Sequence, residues 1–388
     1  MGQQISAREM LEKLVSFPTV SSQSNLKIIE FVRNYLASHG VESHLVYDPS
    51  GQKANLYAHV GPKVEGGVIL SGHTDVVPVE GQDWDSDPFK VIEKNGKLYG
   101  RGTCDMKGFD ALALSAVPKA LARGLKRPLQ IALSYDEEIG CLGAPSMIEE
   151  MARLMPRAGA AIIGEPSMMQ AVSGHKGGLG IATHIQGFEV HSSLQHTGVS
   201  AIHEAARLID WANRMNTENA TRAANGPPSA FVPPWTNAHV GMISGGTANN
   251  ITAKDCRFTM GFRCIPTEQA ADWEAAYRRE VAKIEAAMQA VHPGCKITLE
   301  IEYDVPGLQP EQNGVAEALA RKLTGDNGQH VVSYGTEAGQ FQQGGYSAII
   351  CGPGSIEQAH QPNEFISIEQ FNAGEVFMDR LIDHLAEE

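Results

Sequence analysis

The sequence predicts an α/β protein: a mostly parallel sheet flanked by helices, with a separate α+β block inserted into it. Three observations carry that expectation. Short apolar runs alternate with segments of helical period from the N-terminus to Pro166. After Lys176 the pattern changes to longer strands and two long helices, and it returns to the first kind near Gly314. Several of the early apolar runs end in Asp, Glu or His. In open α/β sheets the binding crevice lies at the carboxyl ends of the strands.

Taken in order, Leu11, Leu14 and Val15 give helical spacing between Ser6 and Phe17, with Pro18 as the stop. Ser6 and Glu9 read as a capping box. Met1-Gly2-Gln3-Gln4-Ile5-Ser6 also fits a myristoylation pattern, but no basic patch adjoins it, and the cap is the preferred reading. A second helix is expected over 25–38, with Gly40 as its left-handed terminator. Strands follow at 55–60 and 68–71. Residues 97–102 lead into Thr103-Cys104-Asp105-Met106-Lys107-Gly108, and an Ala/Leu-rich helix then runs to Arg123. A strand over 128–135 ends in Asp136-Glu137-Glu138, a helix covers 144–155, and a small-residue strand over 158–164 ends in Glu165-Pro166.

The inserted block is expected to read as strand 179–185, helix 200–215, a polar loop over 216–234, strands 240–243 and 257–262, and a long helix over 268–291. A strand at 296–302 either closes this block or leads out of it. That is a β-α-β-β-α-β, ferredoxin-like order. The expected division is residues 1–175 and 291–388 for the main domain and 176–290 for the insert. A helix near 314–323, a strand at 346–351 and a final helix over 368–385 complete the chain.

Composition narrows the function. At 388 residues, two domains are the natural expectation. A net charge of -14 disfavours nucleic acid and anionic membrane as partners. Cys104, Cys141, Cys256, Cys264, Cys295 and Cys351 form no Cys-x-x-Cys pair, and no apolar run approaches the length of a membrane span. These features point to reduced thiols and a cytoplasmic protein.

Candidate chemistry sits where strands end. Val68-Ile69-Leu70-Ser71-Gly72 reads as a buried strand delivering His73 and Asp75. Residues two apart on an extended backbone project to one side. Asp75 can therefore hold one ring nitrogen of His73 and leave the other for a metal. Taken alone, the pair is equally a His and an Asp in a solvated turn. Asp105, Glu137, Glu138 and Glu165 end later runs, and His360 lies in a Gly/Pro-rich loop after another. Two histidines with three carboxylates suit two borderline cations that share one bridging carboxylate. Adjacent side chains on extended backbone oppose one another, so only one of Glu137 and Glu138 is expected to bind metal. The other is left to face the attacking water as a general base.

Gly72-His73-Thr74-Asp75-Val76-Val77-Pro78, Gly100-Arg101-Gly102-Thr103-Cys104-Asp105-Met106-Lys107-Gly108, Asp136-Glu137-Glu138 and Gly164-Glu165-Pro166 resemble the dinuclear zinc amidohydrolase and peptidase family over essentially the whole chain. That family includes amino-acid deacetylases, desuccinylases, aminoacylases and carboxypeptidases of the glutamate type. Tyr334-Gly335-Thr336-Glu337-Ala338-Gly339 and the stretch Gly352 to Glu364 resemble its deacetylase branch.

The resemblance implies a zinc-peptidase-like catalytic domain with an inserted dimerisation domain, hence a homodimer. It implies two divalent ions, zinc with cobalt as the alternative. His73, Asp105 and Glu165 would hold one, and Asp105, Glu138 and His360 the other. It implies Glu137 as general base, Asp75 behind His73, and His191 reaching the neighbouring subunit's active site. Asn250 and Arg263 fall on contacts to a substrate carboxylate, although Asn250-Ile251-Thr252-Ala253 departs from the family's commoner Asn-x-Ile-Pro. The implied substrate is a small N-acyl amino acid, N2-acetyl-L-ornithine in that branch, cleaved to ornithine and acetate in arginine biosynthesis. Glu337 is then a candidate partner for a side-chain ammonium, or a residue that caps its loop or supports a metal ligand.

Without the resemblance, His191 is equally a capping His in a Ser-rich turn, and Arg263 a solvated strand-end Arg. The competing classes are a desuccinylase, aminoacylase or carboxypeptidase of the same family, a serine or nucleotide-dependent enzyme, and a non-catalytic binding protein on this fold. No Gly-x-Ser-x-Gly elbow or Walker loop is present. Retention of Glu137 beside every expected ligand argues against the binding protein.

Overall fold

In the computed structural model, residues 5–227 and 229–387 are described. Met1–Gln4, which carry most of the myristoylation pattern, lie outside them, as does Pro228 of the expected polar loop. The chain divides into two compact units, Met1–Gly174 with Leu308–Val331 and Thr336–Glu388, and His175–Gly307 with Val332–Gly335.

The first unit is built on an eight-stranded sheet. Its centre runs Leu129–Ser134, Val68–His73, Ala160–Pro166 and Ala348–Gly352, all parallel. Every residue of these four strands is buried, so both faces are covered. Their apolar runs are what made them legible. Outside them, Ala54–Val60 pairs antiparallel with Leu129–Ser134, and Ser43–Tyr47 pairs antiparallel with Ala54–Val60. Ser43–Tyr47 is half-exposed and lacks an apolar run, and for that reason it was not expected. Helices Ala7–Val15, Lys107–Arg123 and Ile368–Ala386 share one core with the sheet. Ser6 and Glu9 form the expected capping box.

Two glycines decide where the helix Lys107–Arg123 lies. A Cβ on Gly164 would sit 2.0 Å from the Phe109 ring, and one on Gly72 would sit 2.1 Å from an Asp110 oxygen. Only hydrogen at these positions lets the first helical turn rest on the carboxyl ends of Val68–His73 and Ala160–Pro166. Asp105, two residues before that helix, is thereby set beside His73 and Glu165.

The second unit is an antiparallel sheet in the order Asn237–His239, Asp255–Cys264, Gly177–Gln186, Lys296–Val305, with Ile243–Gly245 also on Asp255–Cys264. This is the expected ferredoxin-like order. Helices Ala201–Ala224 and Ala270–Val291 pack on one face around Trp211, Phe262 and Tyr277. Three features differ from the sequence reading. In place of the single strand expected at 240–243 there are two short strands, Asn237–His239 and Ile243–Gly245, both paired with Asp255–Cys264. Lys296–Val305 pairs along its length with Gly177–Gln186, so the unit extends to Gly307 rather than returning at 291. The helix expected to stop at Met215 runs on to Ala224. Its asparagines are not loop residues: Asn216 exchanges bonds with both backbone groups of Ala238, and Asn219 donates to the Thr236 carbonyl. They tie the helix to the sheet edge.

Candidate metal centre

The sequence-predicted ligands of the first unit converge. His73 Nε2 lies 3.1 Å from Asp105 Oδ1 and 3.9 Å from Glu165 Oε1. His360 Nε2 lies 3.3 Å from Asp105 Oδ2 and 2.9 Å from Glu138 Oε2. The two oxygens of Asp105 thus face different histidines, the disposition of a bridging carboxylate. His73, Glu137 and Glu165 also bring ligand atoms within 4.8 Å of one another, as do His73, Asp105 and Glu138.

Asp75 acts differently from the simple alternation argument. The strand stops at His73, and the nearest acceptor for His73 Nδ1 is the backbone carbonyl of Asp75 at 2.9 Å, with its carboxylate at 3.6 Å. Binding of Nδ1–H to that carbonyl leaves Nε2 as the lone-pair nitrogen. The carboxylate accepts from Ser21 Oγ at 2.7 Å and from the backbone N–H groups of Glu137 at 3.2 Å and Glu138 at 3.4 Å. Asp75 therefore fixes the acidic loop relative to His73.

That loop corrects the expectation for Glu137 and Glu138. The strand ends at Ser134, and Asp136 has φ 56°, so the two glutamates sit in a turn, not on extended backbone. Both carboxylates face the cluster. What separates them is their partners: Glu138 pairs with His360, whereas Glu137 Oε1 accepts from the Cys141 thiol at 3.3 Å.

The electrostatics are those of excess buried negative charge. Burial pushes Glu137 and Glu165 well above the ordinary carboxylate range, with neighbouring carboxylates adding to the push and His73 opposing it. Burial and then Asp105 raise Glu138. For Asp105, hydrogen bonds from His360 and His73 outweigh burial and hold it low. The bonds to Asp105 and Glu138 lift His360 to about 10. Two imidazoles do not neutralise Asp75, Asp105, Glu137, Glu138 and Glu165. Two divalent cations would balance four of these five charges, and the mixed nitrogen and carboxylate donors suit a borderline metal.

One buried carboxylate that sequence reasoning treated only as part of a motif holds the second half of the site. Glu364 Oε1 accepts from the backbone N–H groups of Cys104 at 2.9 Å and Asp105 at 3.1 Å, and Oε2 pairs with Arg101 at 2.7 Å. Arg101 also donates to Gln82, whose amide donates to the His360 carbonyl at 3.0 Å. Glu364 therefore registers the Asp105 loop against the His360 loop. Ser21, Gln82 and Cys141 were likewise not singled out; each acts through isolated hydrogen bonds across the fold or the turn, which leave no motif.

Glu337 is buried at 1% exposure, makes a hydrogen bond with Ser134, and keeps one oxygen without a partner among the described residues. Burial raises it to about 7. In the second unit, His191 is exposed, and its Nδ1 accepts from the Ser193 N–H, so Nε2 carries the ring proton in the neutral form. Asn250 lies beside it: the Asn250 carbonyl accepts from Ser192, and Ile251 bridges His191. Arg263 does not join them. It lies near the far end of the ten-residue strand Asp255–Cys264, roughly 25 Å from the end that leads back to Asn250 at about 3.3 Å per residue. Asn250 and Arg263 of one chain therefore lie toward opposite ends of that strand.

The sequence profile of Peptidase family M20/M25/M40 matches residues 69–384. An acetylornithine deacetylase of Pasteurella multocida (strain Pm70) is 35% identical over 382 residues, covering 96% of each chain. An acetylornithine deacetylase of Myxococcus xanthus is 32% identical over 385 residues, covering 97% of each. In fold, the chain is similar to an M20 family metallo-carboxypeptidase from Sulfolobus solfataricus, with a TM-score of 0.77 at 18% identity over 98% of this chain and 99% of that one.

The Glu364 network predicts that Glu364→Gln, which keeps the shape and removes the charge facing Arg101, weakens zinc binding by roughly ten- to a hundredfold. Titration of metal-free protein measures this; unchanged affinity would reduce Glu364 to a packing role.

Proposed function

The chain belongs to peptidase family M20/M25/M40, and from that premise we propose that it is a metal-dependent amidohydrolase that deacetylates N2-acetyl-L-ornithine, giving L-ornithine and acetate for arginine biosynthesis. The observation that carries the reading is Asp105, whose two oxygens are shared between His73 and His360.

His73, Asp105 and Glu165 would hold one divalent ion, and Asp105, Glu138 and His360 the other. Two such ions, zinc with cobalt as the alternative, would lower the pKa of a water and polarise the acetyl carbonyl. Glu137 takes the proton as the water oxygen attacks the acetyl carbon. It returns the proton to the amine nitrogen as the C–N bond breaks. Among the described residues its carboxylate takes the Cys141 thiol rather than an imidazole as its partner, which leaves it available to carry the proton between the two steps. Asp75 keeps Glu137 and His73 in register. Glu337 is our candidate for the substrate ammonium: a buried carboxyl with an unpartnered oxygen gains from a cation.

His191 of a second copy donates Nε2–H to the developing oxyanion, Asn250 comes with it, and Arg263 of the first copy binds the α-carboxylate through two parallel hydrogen bonds. The protein is then a homodimer joined through the second unit. The reading is supported by the separation along Asp255–Cys264, which suits a site that takes Asn250 from one copy and Arg263 from the other. Six buried, unpaired cysteines suit a reducing compartment such as the cytoplasm. Among the described residues no helix is long and apolar enough to cross a membrane.

Product analysis tests the substrate. N2-acetyl-L-ornithine is expected to yield ornithine only with metal present, and Glu137→Ala to lose on the order of a thousandfold in kcat while retaining metal. Glu337→Gln is expected to lower kcat/KM for N-acetylornithine more than for N-acetylmethionine, by roughly ten- to a hundredfold. Equal losses would give Glu337 a supporting role, and preference for an N-succinyl substrate would move the protein to another branch. A mixture of Glu137→Ala and His191→Ala chains is expected to regain activity after subunit exchange, because one site of the mixed dimer keeps both residues. No recovery would assign His191 to its own chain.

A further inference from the structure

The turn that carries Glu137 contains a second side chain aimed at its carboxylate. Glu137-Glu138-Ile139-Gly140-Cys141 folds back so that the N–H groups of Gly140 and Cys141 bind the Glu137 carbonyl at 3.0 and 2.8 Å. Cys141 has φ 53° and is 4% exposed. Its sulfur lies 3.3 Å from Glu137 Oε1, a donor distance for a thiol. Its carbonyl accepts from Gln340 Nε2 at 2.9 Å, on the separate helix Ala338–Gln343. The cysteine is thus held from both sides: by the turn it closes and by a helix outside it.

We propose that Cys141 is a positioning residue for the catalytic carboxylate: its S–H occupies Oε1 of Glu137 and leaves Oε2 as the one oxygen free to exchange a proton with water and with the leaving amine. The proposal rests on the assignment of Glu137 as the base and adds a residue that the family comparison does not assign.

The chemistry favours a thiol here. Glu137 swings on three side-chain bonds, and an unanchored carboxylate among Glu138, Glu165 and two histidines has several near-equivalent poses. One directional donor removes most of them. A lysine or histidine donor would do so more strongly, but its charge would lower the proton affinity the base needs. A thiol is neutral, small enough for the turn and a weak donor. Burial and the nearby carboxylates Glu137 and Glu337 push the Cys141 thiol well above its ordinary value, so the sulfur keeps its proton and does not add a charge to an already acidic cluster.

The test compares Cys141→Ala with Cys141→Ser. Cys141→Ala removes the donor, and kcat for N2-acetyl-L-ornithine is expected to fall roughly five- to tenfold, with KM and bound metal unchanged. Cys141→Ser keeps a donor and is expected to stay within about twofold of the parent. A Cys141→Ala enzyme with parental kcat overturns the proposal, and so does a Cys141→Ser enzyme that falls as far as Cys141→Ala.

A second measurement does not depend on turnover. The infrared S–H stretch of Cys141, assigned by its loss in Cys141→Ala, is expected to move to higher frequency in Glu137→Gln, where the acceptor loses its charge. An unmoved band removes the hydrogen bond and with it the proposal. A shifted band in a protein whose Glu137→Ala variant retains turnover would keep the bond and overturn instead the assignment of Glu137 as base.

Discussion

The centre depends on Asp105 directing its two oxygens toward different histidines. A carboxylate can be shared in this way only if its backbone is fixed independently on both sides. On one side the helix Lys107–Arg123 begins against the strand ends, at a distance that Gly72 and Gly164 permit. On the other, Glu364 takes the backbone N–H groups of Cys104 and Asp105 and is itself held by Arg101. Neither constraint touches a substrate. Together they turn three strand ends, the turn before a helix and one distant loop into a single polar cluster, in which cations would offset the cost of burying like charges.

The sheet and the ligands were legible in the sequence because they obey strong local rules. Fully buried parallel strands read as apolar runs, and their ends must carry the polar groups. His73, Glu138 and Glu165 stand at or just beyond the ends of such strands, whereas Asp105 lies in the turns before a helix and His360 in a loop, where the motif around each marked it. The connections between them were not legible. Asp75 was expected to serve His73 through its carboxylate, but its carbonyl does so, and the carboxylate organises the acidic loop. Glu137 and Glu138 were expected to oppose each other on extended backbone, but a turn beginning at Asp136 points both inward. Sequence shows which residues end a strand; it does not show the backbone torsions one or two residues later, and these decide which atom faces which.

The second unit shows the same division. Its strand order followed from the succession of strands and helices, but its limits did not. Lys296–Val305 belongs with it because of pairing to Gly177–Gln186, a contact more than a hundred residues away in the chain. Asn216 and Asn219 resemble loop residues by composition, yet they extend a helix by bonding a strand edge. The separation of Arg263 from Asn250 along one strand could not be read from their motifs.

The central claim is that this cluster takes two ions bridged by Asp105. Anomalous scattering from crystals of the zinc-reconstituted protein tests it most directly. The account predicts two peaks per chain, one against His73, Asp105 and Glu165 and one against Asp105, Glu138 and His360. A single peak, or two peaks that do not share Asp105, would contradict it.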